Sequence, residues 1–280
     1  MTRPGTALVL GGGGVTGIAW EIGLLLGLAE HGLDLTEAET LVGTSAGSVV
    51  GALVACGEDL EEMYASQFAD PSGEEVAKMG AGIIARFALA YLTPGSPSRK
   101  LRRIGRLAMR ARIGDETERV EVIRSRMGDR SWPDRRLLIT AVDAGSGEPA
   151  VFDKSTGVDL VRAVSASCAV PLVWPPVIVN GRRYVDGGMR SPNNADLARG
   201  ASHIIVFAPI VASYNRATRV DTQLFGLGPQ VAWSVIAPDP EAAHAVNANM
   251  LDPKHRAQAA RAGRQQARRV LDKVRAAWPC

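Results

Sequence analysis

Ser45 has the sequence context of a nucleophile. It lies at the centre of Gly-Thr-Ser-Ala-Gly, residues 43–47. The run before it, Thr40–Val42, is typical of a short buried strand, and the small apolar run after it, Ser48–Cys56, is typical of a helix. A sharp strand-to-helix turn exposes a serine hydroxyl for attack on a carbonyl carbon. The spacing therefore predicts a nucleophilic serine at position 45.

A serine hydroxyl needs a base to take its proton, and Asp186 is the predicted base. Histidine usually has this role, but none of the four histidines lies in a catalytic motif, so we interpret each as structural or exposed: His31, His203, His244 and His255. Asp186 follows a short strand and precedes Gly187 and Gly188, which let the backbone turn and aim the carboxylate. The alternative is that Asp-Gly-Gly is only a tight turn.

A glycine cluster after the first predicted strand, 7–10, is the candidate oxyanion hole. Backbone N–H groups without side chains in the way can stabilise the charge that develops on a substrate oxygen. We predict that Gly13 and Gly14 donate together with Ala46, and that Gly12 belongs to the same hole. The glycines also fit Gly-x-Gly-x-x-Gly, a dinucleotide fingerprint. That fingerprint requires an acid at the end of the second strand, whereas the acids here precede it, which favours the oxyanion interpretation.

Taken in order, these motifs resemble the patatin-like phospholipase family. The segments that carry the resemblance are Gly-Gly-Gly-Val-Thr-Gly (12–17), Gly-Thr-Ser-Ala-Gly (43–47), Ala-Ser-Cys-Ala-Val-Pro (166–171) and Asp-Gly-Gly (186–188). The resemblance implies a three-layer α/β/α fold and hydrolysis of lipid acyl esters, without metal or cofactor, by a Ser–Asp dyad.

The resemblance also implies the role of each matching residue. Ser45 corresponds to the family nucleophile, Asp186 to its base, and Gly12–Gly17 to its oxyanion loop. The other motif positions are Gly17, Gly43, Gly47, Gly187 and Gly188. Many members carry Arg or Lys where this chain has Thr16, which removes an expected positive charge near the mouth of the site.

Two alternatives use the same residues. The first is an acyltransferase, in which an alcohol or thiol replaces water on the acyl-enzyme; the related malonyl transferases carry a histidine where this chain has Thr44. The second is a lipid-binding or scaffold protein with a vestigial site, which the intact Ser45 and Asp186 argue against.

Strands that alternate with helices predict an α/β fold with a mostly parallel sheet covered on both faces. The 280 residues, 46% of them hydrophobic, suffice for one such domain over 1–280. Within it we predict a helical insert at about 58–130, with a helix over 74–91, and a mostly helical tail from about 226. An apolar stripe in the insert either faces the core or caps the active site: Ile83, Ile84, Phe87 and Tyr91.

The net charge of +3 hides two basic clusters, at 99–114 and 254–275. They are either solvated helix faces or surfaces that contact anionic membrane head groups. No recognition motif accompanies them, so we predict no nucleic-acid partner. No apolar run is long enough to span a bilayer, and no secretion signal is present, so we expect a cytoplasmic protein. Three widely spaced cysteines suit reduced thiols: Cys56, Cys168 and Cys280. The oligomeric state is not predicted from the sequence.

Overall fold

The computed structural model describes residues 2–70, 80–111, 113–247 and 249–279, and every structural statement below concerns these residues. The strands are β1 (Arg3–Leu10), β2 (Ala38–Gly43), β3 (Arg136–Asp143), β4 (Pro149–Phe152), β5 (Val177–Val179), β6 (Arg182–Asp186), β7 (His203–Phe207) and β8 (Ala232–Ile236). The helices are α1 (Gly14–Glu30), α2 (Ala46–Ala55), α3 (Leu60–Ser66), α4 (Ala81–Leu92), α5 (Pro97–Arg110), α6 (Glu116–Met127), α7 (Leu160–Ser167), α8 (Val220–Phe225), α9 (Pro240–Asn247) and α10 (Arg256–Arg275).

The strands form one mixed sheet in the order β5-β6-β3-β2-β1-β7-β8, with β4 also paired to β3. Strands β3, β2, β1, β7 and β8 run parallel to one another, whereas β4 and β6 run antiparallel to β3. Parallel strands need crossover connections, and helices make them here. The carboxyl ends of β1, β2 and β3 consequently lie at one edge of the sheet.

The sheet is buried on both faces, as the alternation along β1 shows. Leu8 and Leu10 pack into the larger core, beneath α1, α2, α6, α7 and α10. Ala7 and Val9 point to the opposite face, where α8 covers part of the sheet. Helix α5 packs over the same side of β3, where Val142 meets its Leu101. Helices therefore flank the sheet on both sides, consistent with the predicted three-layer α/β/α fold.

The sequence-based elements agree with the structure at most positions. The Asn180-Gly181 dipeptide is a hairpin signal in the sequence, and β5 and β6 pair antiparallel around it. Helices α3–α6 occupy the described part of the predicted insert. The predicted helix over 74–91 is described only from α4 onward, and residues 71–79 lie outside the described residues, as does Cys280.

The tail that the sequence predicts to be mostly helical contains α9 and α10, and also a strand at 232–236. These residues form β8, which pairs in parallel with β7 from His203↔Ala232 to Phe207↔Ile236. A five-residue run carries too little periodicity to be told from a helix by pattern alone. No helix among the described residues is long and apolar enough to cross a membrane.

Candidate active site

Ser45 lies at the turn between β2 and α2, in a backbone conformation that few non-glycine residues adopt. Its φ is 52° and its ψ is −118°. Such a residue costs on the order of 1–3 kcal/mol and persists only where its surroundings hold it. The Ser45 N–H donates to the Ser167 hydroxyl at 2.9 Å, and its carbonyl accepts from the Ser48 hydroxyl at 2.6 Å. Close packing also needs Gly47, because a Cβ there would lie 2.1 Å from the Leu10 carbonyl oxygen.

Strand register brings Asp186 to the same edge of the sheet. Gly43, at the end of β2, pairs with Ile139 of β3. Two residues further along β3, Ala141 pairs with Asp186 at the end of β6. Because β6 joins β3 from the side opposite β2, the nucleophile turn and the carboxylate approach each other across one strand.

The Asp186 carboxylate accepts the Gly188 N–H at 2.7 Å and lies close enough to the Ser45 side chain to interact with it. It is buried, with 3% of its surface exposed. This burial raises the pKa of Asp186 to about 6, although the Ser45 and Gly188 hydrogen bonds and the charge of Arg119 oppose the shift. The group is therefore an ionised acceptor at neutral pH and a titrating one just below it.

The glycine loop lies beside Ser45, but its amides are not equivalent. A Cβ on Gly12 would lie 3.5 Å from the Ser45 Cβ. The Gly12 N–H, however, donates to the Pro192 carbonyl at 2.8 Å, so the structure removes Gly12 from the predicted set of oxyanion donors. The amides of Gly13, Gly14 and Ala46 have no acceptor among the described residues, as expected for the first turns of α1 and α2.

Gly14 is required by its conformation and by its neighbours. Its φ is +61°, and a Cβ there would lie 2.2 Å from the Met250 carbonyl oxygen. Thr16, where many family members carry a cation, is buried and donates from its hydroxyl to the Val246 carbonyl at 2.7 Å. This position therefore faces the C-terminal segment. Of the remaining motif glycines, Gly43 and Gly187 sit at close approaches, since a Cβ would lie 2.5 Å from the Ser48 Cα and 2.2 Å from the Thr140 hydroxyl. A Cβ on Gly188 would lie 2.9 Å from the Asp186 carboxylate, whereas one on Gly17 would meet its neighbours at an ordinary 3.5 Å.

The segment 166–171 connects the candidate nucleophile Ser45 to the candidate base Asp186, a role that its sequence does not reveal. Ser167 accepts the Ser45 N–H, and the Ala169 carbonyl accepts the Asp186 N–H at 3.0 Å. Cys168 donates its thiol to the Ser45 carbonyl at 3.3 Å. One short stretch of backbone thus positions both members of the candidate dyad.

A polar network beneath the turn was also missed from the sequence. The Asn194 side-chain amide donates to the Thr44 hydroxyl at 3.0 Å, and the Thr140 hydroxyl donates to Thr44 at 3.0 Å. All three side chains are buried. They come from three separate parts of the chain, so no spacing in the sequence could have grouped them.

A cavity of about 410 Å³ opens at Ser45 and Ala46. Its wall is partly apolar and includes Arg119, which is stacked at 4.0 Å on the Trp174 ring, along with two further arginines. No Asp or Glu is among the described residues that line it. The lining residues that matter below are Val15, Ile18, Val49, Arg119, Arg126 and Arg256.

Helix α6 is the part of the helical insert that lines the cavity. No described residue of α4 lines it, so the apolar stripe at 83–91 does not cap it. The four histidines are all described, and none lines the cavity. Cys168 does line it. Within the described ranges, no three His, Cys, Asp or Glu side chains are grouped closely enough to hold a metal ion.

Comparison with known proteins places this geometry in a family. The chain is 29% identical over 231 residues to the lysophospholipase nte1 of Aspergillus niger, which covers 82% of this chain and 13% of that protein. It is 27% identical over 176 residues to the mouse omega-hydroxyceramide transacylase, covering 62% of this chain and 25% of that one. The chain thus spans a small part of either relative.

Among solved structures, VipD from Legionella pneumophila has a similar fold. The TM-score is 0.50 at 14% identity, covering 97% of this chain and 68% of that one. The sequence profile of the patatin-like phospholipase family matches residues 8–199, which include the glycine loop, Ser45 and Asp186. The chain therefore belongs to the patatin-like phospholipase family.

Proposed function

We propose that this protein is a serine acyl hydrolase that cleaves carboxylic esters of lipids through an acyl-enzyme on Ser45. The observation that carries the proposal is the contact between the Ser45 side chain and the buried Asp186 carboxylate, made where Ser45 faces a cavity. Family membership and the lysophospholipase relatives support the lipid ester as substrate.

The first half of the reaction forms the acyl-enzyme. The Ser45 Oγ attacks the ester carbonyl carbon while its proton passes to Asp186. The carbonyl oxygen, now negatively charged, accepts hydrogen bonds from the free amides of Gly13, Gly14 and Ala46; loss of one such donor typically costs about 3 kcal/mol of barrier. The C–O bond to the alcohol then breaks, and Asp186 returns the proton to the leaving oxygen.

The second half releases the fatty acid. Water attacks the acyl carbon and gives its proton to Asp186, which passes it to Ser45 as the acyl bond breaks. A carboxylate with a pKa of about 6 is suited to both directions of transfer near neutral pH, because each protonation state is accessible.

The lining of the cavity suggests how a lipid lies in it. Val15, Ile18 and Val49 also line an adjoining space of about 240 Å³, which Ile22 and Leu53 extend. We assign the acyl chain to these five apolar side chains. Arg126 and Arg256 line both spaces, whereas Arg119 lines only the cavity at Ser45. A basic residue at this place is compatible with a substrate that carries an anionic group, such as a phosphate, near the ester.

The decisive experiment compares wild type with Ser45→Ala on p-nitrophenyl esters of increasing chain length and on lysophosphatidylcholine. We expect Ser45→Ala to abolish turnover and to prevent labelling by a fluorophosphonate probe, detected as a mass shift on the Ser45 peptide. Ser125→Ala is the matched control, because Ser125 also lines the cavity but its hydroxyl donates to the Val122 carbonyl. Turnover that survives in Ser45→Ala would refute the assignment.

Acyl transfer is the second candidate, and the transacylase relative favours it. It uses the same acyl-enzyme with an alcohol in place of water. Product analysis with a long-chain alcohol added to the ester assay separates the two activities, since a transferase forms a new ester and a hydrolase releases free fatty acid.

A further inference from the structure

The two basic clusters of the sequence differ in how their charges are used. On α10, Arg264 pairs with Glu30, Arg269 pairs with Asp239, and the Lys273 amine donates to a backbone carbonyl. These cations are largely committed to acceptors of the protein itself. The other basic cluster lies on α5.

The basic side chains of α5 are directed outward. Arg106 and Arg110 are exposed, and no residue of α5 takes part in an ion pair within the described residues. Arg103, Arg106 and Arg110 recur at helical spacing and so share one face. That face, together with Arg86 of α4, lines an open groove of about 600 Å³.

Large apolar side chains lie exposed beside these arginines. Leu89 is 68% exposed and Leu92 is 81% exposed, whereas Phe87, on the other side of α4, is 3% exposed and anchors the helix in a small core. Leu89 follows Arg86 by three residues and lines the same groove. Arg103 donates to the Thr93 and Pro94 carbonyls, whereas Arg106 and Arg110 are exposed. Exposed leucines next to these two cations form a mixed apolar and basic patch of the kind that marks an interaction surface.

We propose that the α4–α5 surface, formed by Arg86, Leu89, Leu92, Arg103, Arg106 and Arg110, docks the protein on anionic phospholipid bilayers. Apolar side chains that enter the acyl boundary and cations that meet the head groups are the two features of interfacial binding. Both are present here on adjacent helices. An anionic bilayer complements this surface in charge and in its apolar interior, whereas a nucleic acid would leave the leucines without a partner.

The docking surface adjoins the candidate active site through the segment 169–174. Leu172 lines the groove, while Val170 and Trp174 line the cavity at Ser45. Docking would therefore bring a lipid surface to a segment that borders both. Docking itself does not depend on catalysis; only its use in delivering a lipid ester rests on the proposed function.

The test is cosedimentation of the Ser45→Ala protein, which cannot consume lipid, with phosphatidylcholine vesicles that contain or lack phosphatidylserine. We expect stronger binding when phosphatidylserine is present. Each basic side chain near an anionic surface contributes about a fivefold change in partitioning, so Arg106→Gln with Arg110→Gln should weaken binding roughly 25-fold. Leu89→Ser with Leu92→Ser should weaken binding to both kinds of vesicle.

The matched control is Arg199→Gln with Arg268→Gln, which removes the same charge from exposed positions away from the surface and should bind like the parent. All variants are tested in parallel with an intact Ser45 on a soluble short-chain ester, where rates should equal wild type. Equal vesicle binding by the α5 variant and the control, or no preference of the parent for phosphatidylserine, would overturn the docking proposal. If the wild-type protein showed no ester turnover, the proposed function alone would be refuted.

Discussion

Acidification should slow the reaction while the protein is still folded, because it protonates Asp186. Burial raises the pKa of this carboxyl to about 6. At about pH 5 roughly a tenth of the molecules then carry the carboxylate, so kcat/KM should be about tenfold below its value at about pH 8. A carboxyl with its ordinary pKa of 3.8 would remain more than nine-tenths ionised at that pH.

The assay is hydrolysis of a neutral short-chain p-nitrophenyl ester, with product measured after the reaction is stopped in alkali. A neutral substrate has no titration of its own, and kcat/KM reports the free enzyme. Circular dichroism at each pH separates loss of the base from unfolding. The background hydrolysis by solvent is measured with Ser45→Ala in the same buffers.

A rate that stays flat between about pH 5 and pH 8 in a folded protein would refute a titrating carboxylate base of this pKa. A midpoint at about pH 4 would retain the carboxylate but contradict the desolvation on which the raised pKa depends. A midpoint above about pH 7 would indicate a histidine or a thiol as the base. No described histidine lines the cavity, and the Cys168 thiol contacts Ser45 at its backbone carbonyl.

Three further outcomes are expected. The pKa of Asp186 is higher in the native than in the unfolded chain, so its ionised form destabilises the fold by about 3 kcal/mol above about pH 6 and not below about pH 4. Asp186→Asn should therefore abolish turnover yet raise Tm at high pH. An unchanged Tm would contradict this. Ser167→Ala leaves the buried N–H of Ser45 without an acceptor, which costs about 1–3 kcal/mol. We expect kcat to fall about tenfold. Ser165→Ala, in the same helix, should change kcat little. Gly14→Ala adds a clash with the Met250 carbonyl to an unfavourable φ and should reduce both Tm and kcat, while Gly32→Ala, with a φ of +75° and open space, should preserve kcat.

Local sequence was sufficient for the parts of the site that one turn contains. The nucleophile turn follows from a buried strand, two glycines and a run of small apolar residues within 40–56. The same holds for the hairpin at Asn180-Gly181, whose residues suit the turn at φ of 49° and 75°. In these cases the conformation depends on neighbours in the chain, so the pattern carries the information.

Other features depended on residues far away. The Gly12 amide cannot be told from its neighbours in the sequence, but in the structure its N–H donates to the Pro192 carbonyl. Strand β8 is recognisable only by its pairing with β7, because its five residues carry little periodicity of their own. The basic clusters at 99–114 and 254–275 have similar composition, yet distant carboxylates such as Glu30 and Asp239 neutralise only the second.

The sequence by itself determined the family resemblance, the order of the motifs and the residue types on which acyl chemistry depends, because these reside in short segments whose glycines and strands dictate local geometry. Only the tertiary structure decided how the candidate site is assembled. Strand register brings Asp186 to Ser45, and burial sets the pKa of that carboxyl. Residues 167–169 link the two, and α6 places arginines at the cavity. Each of these is an interaction between segments remote in the chain, and its strength depends on distance and desolvation, which no linear spacing encodes.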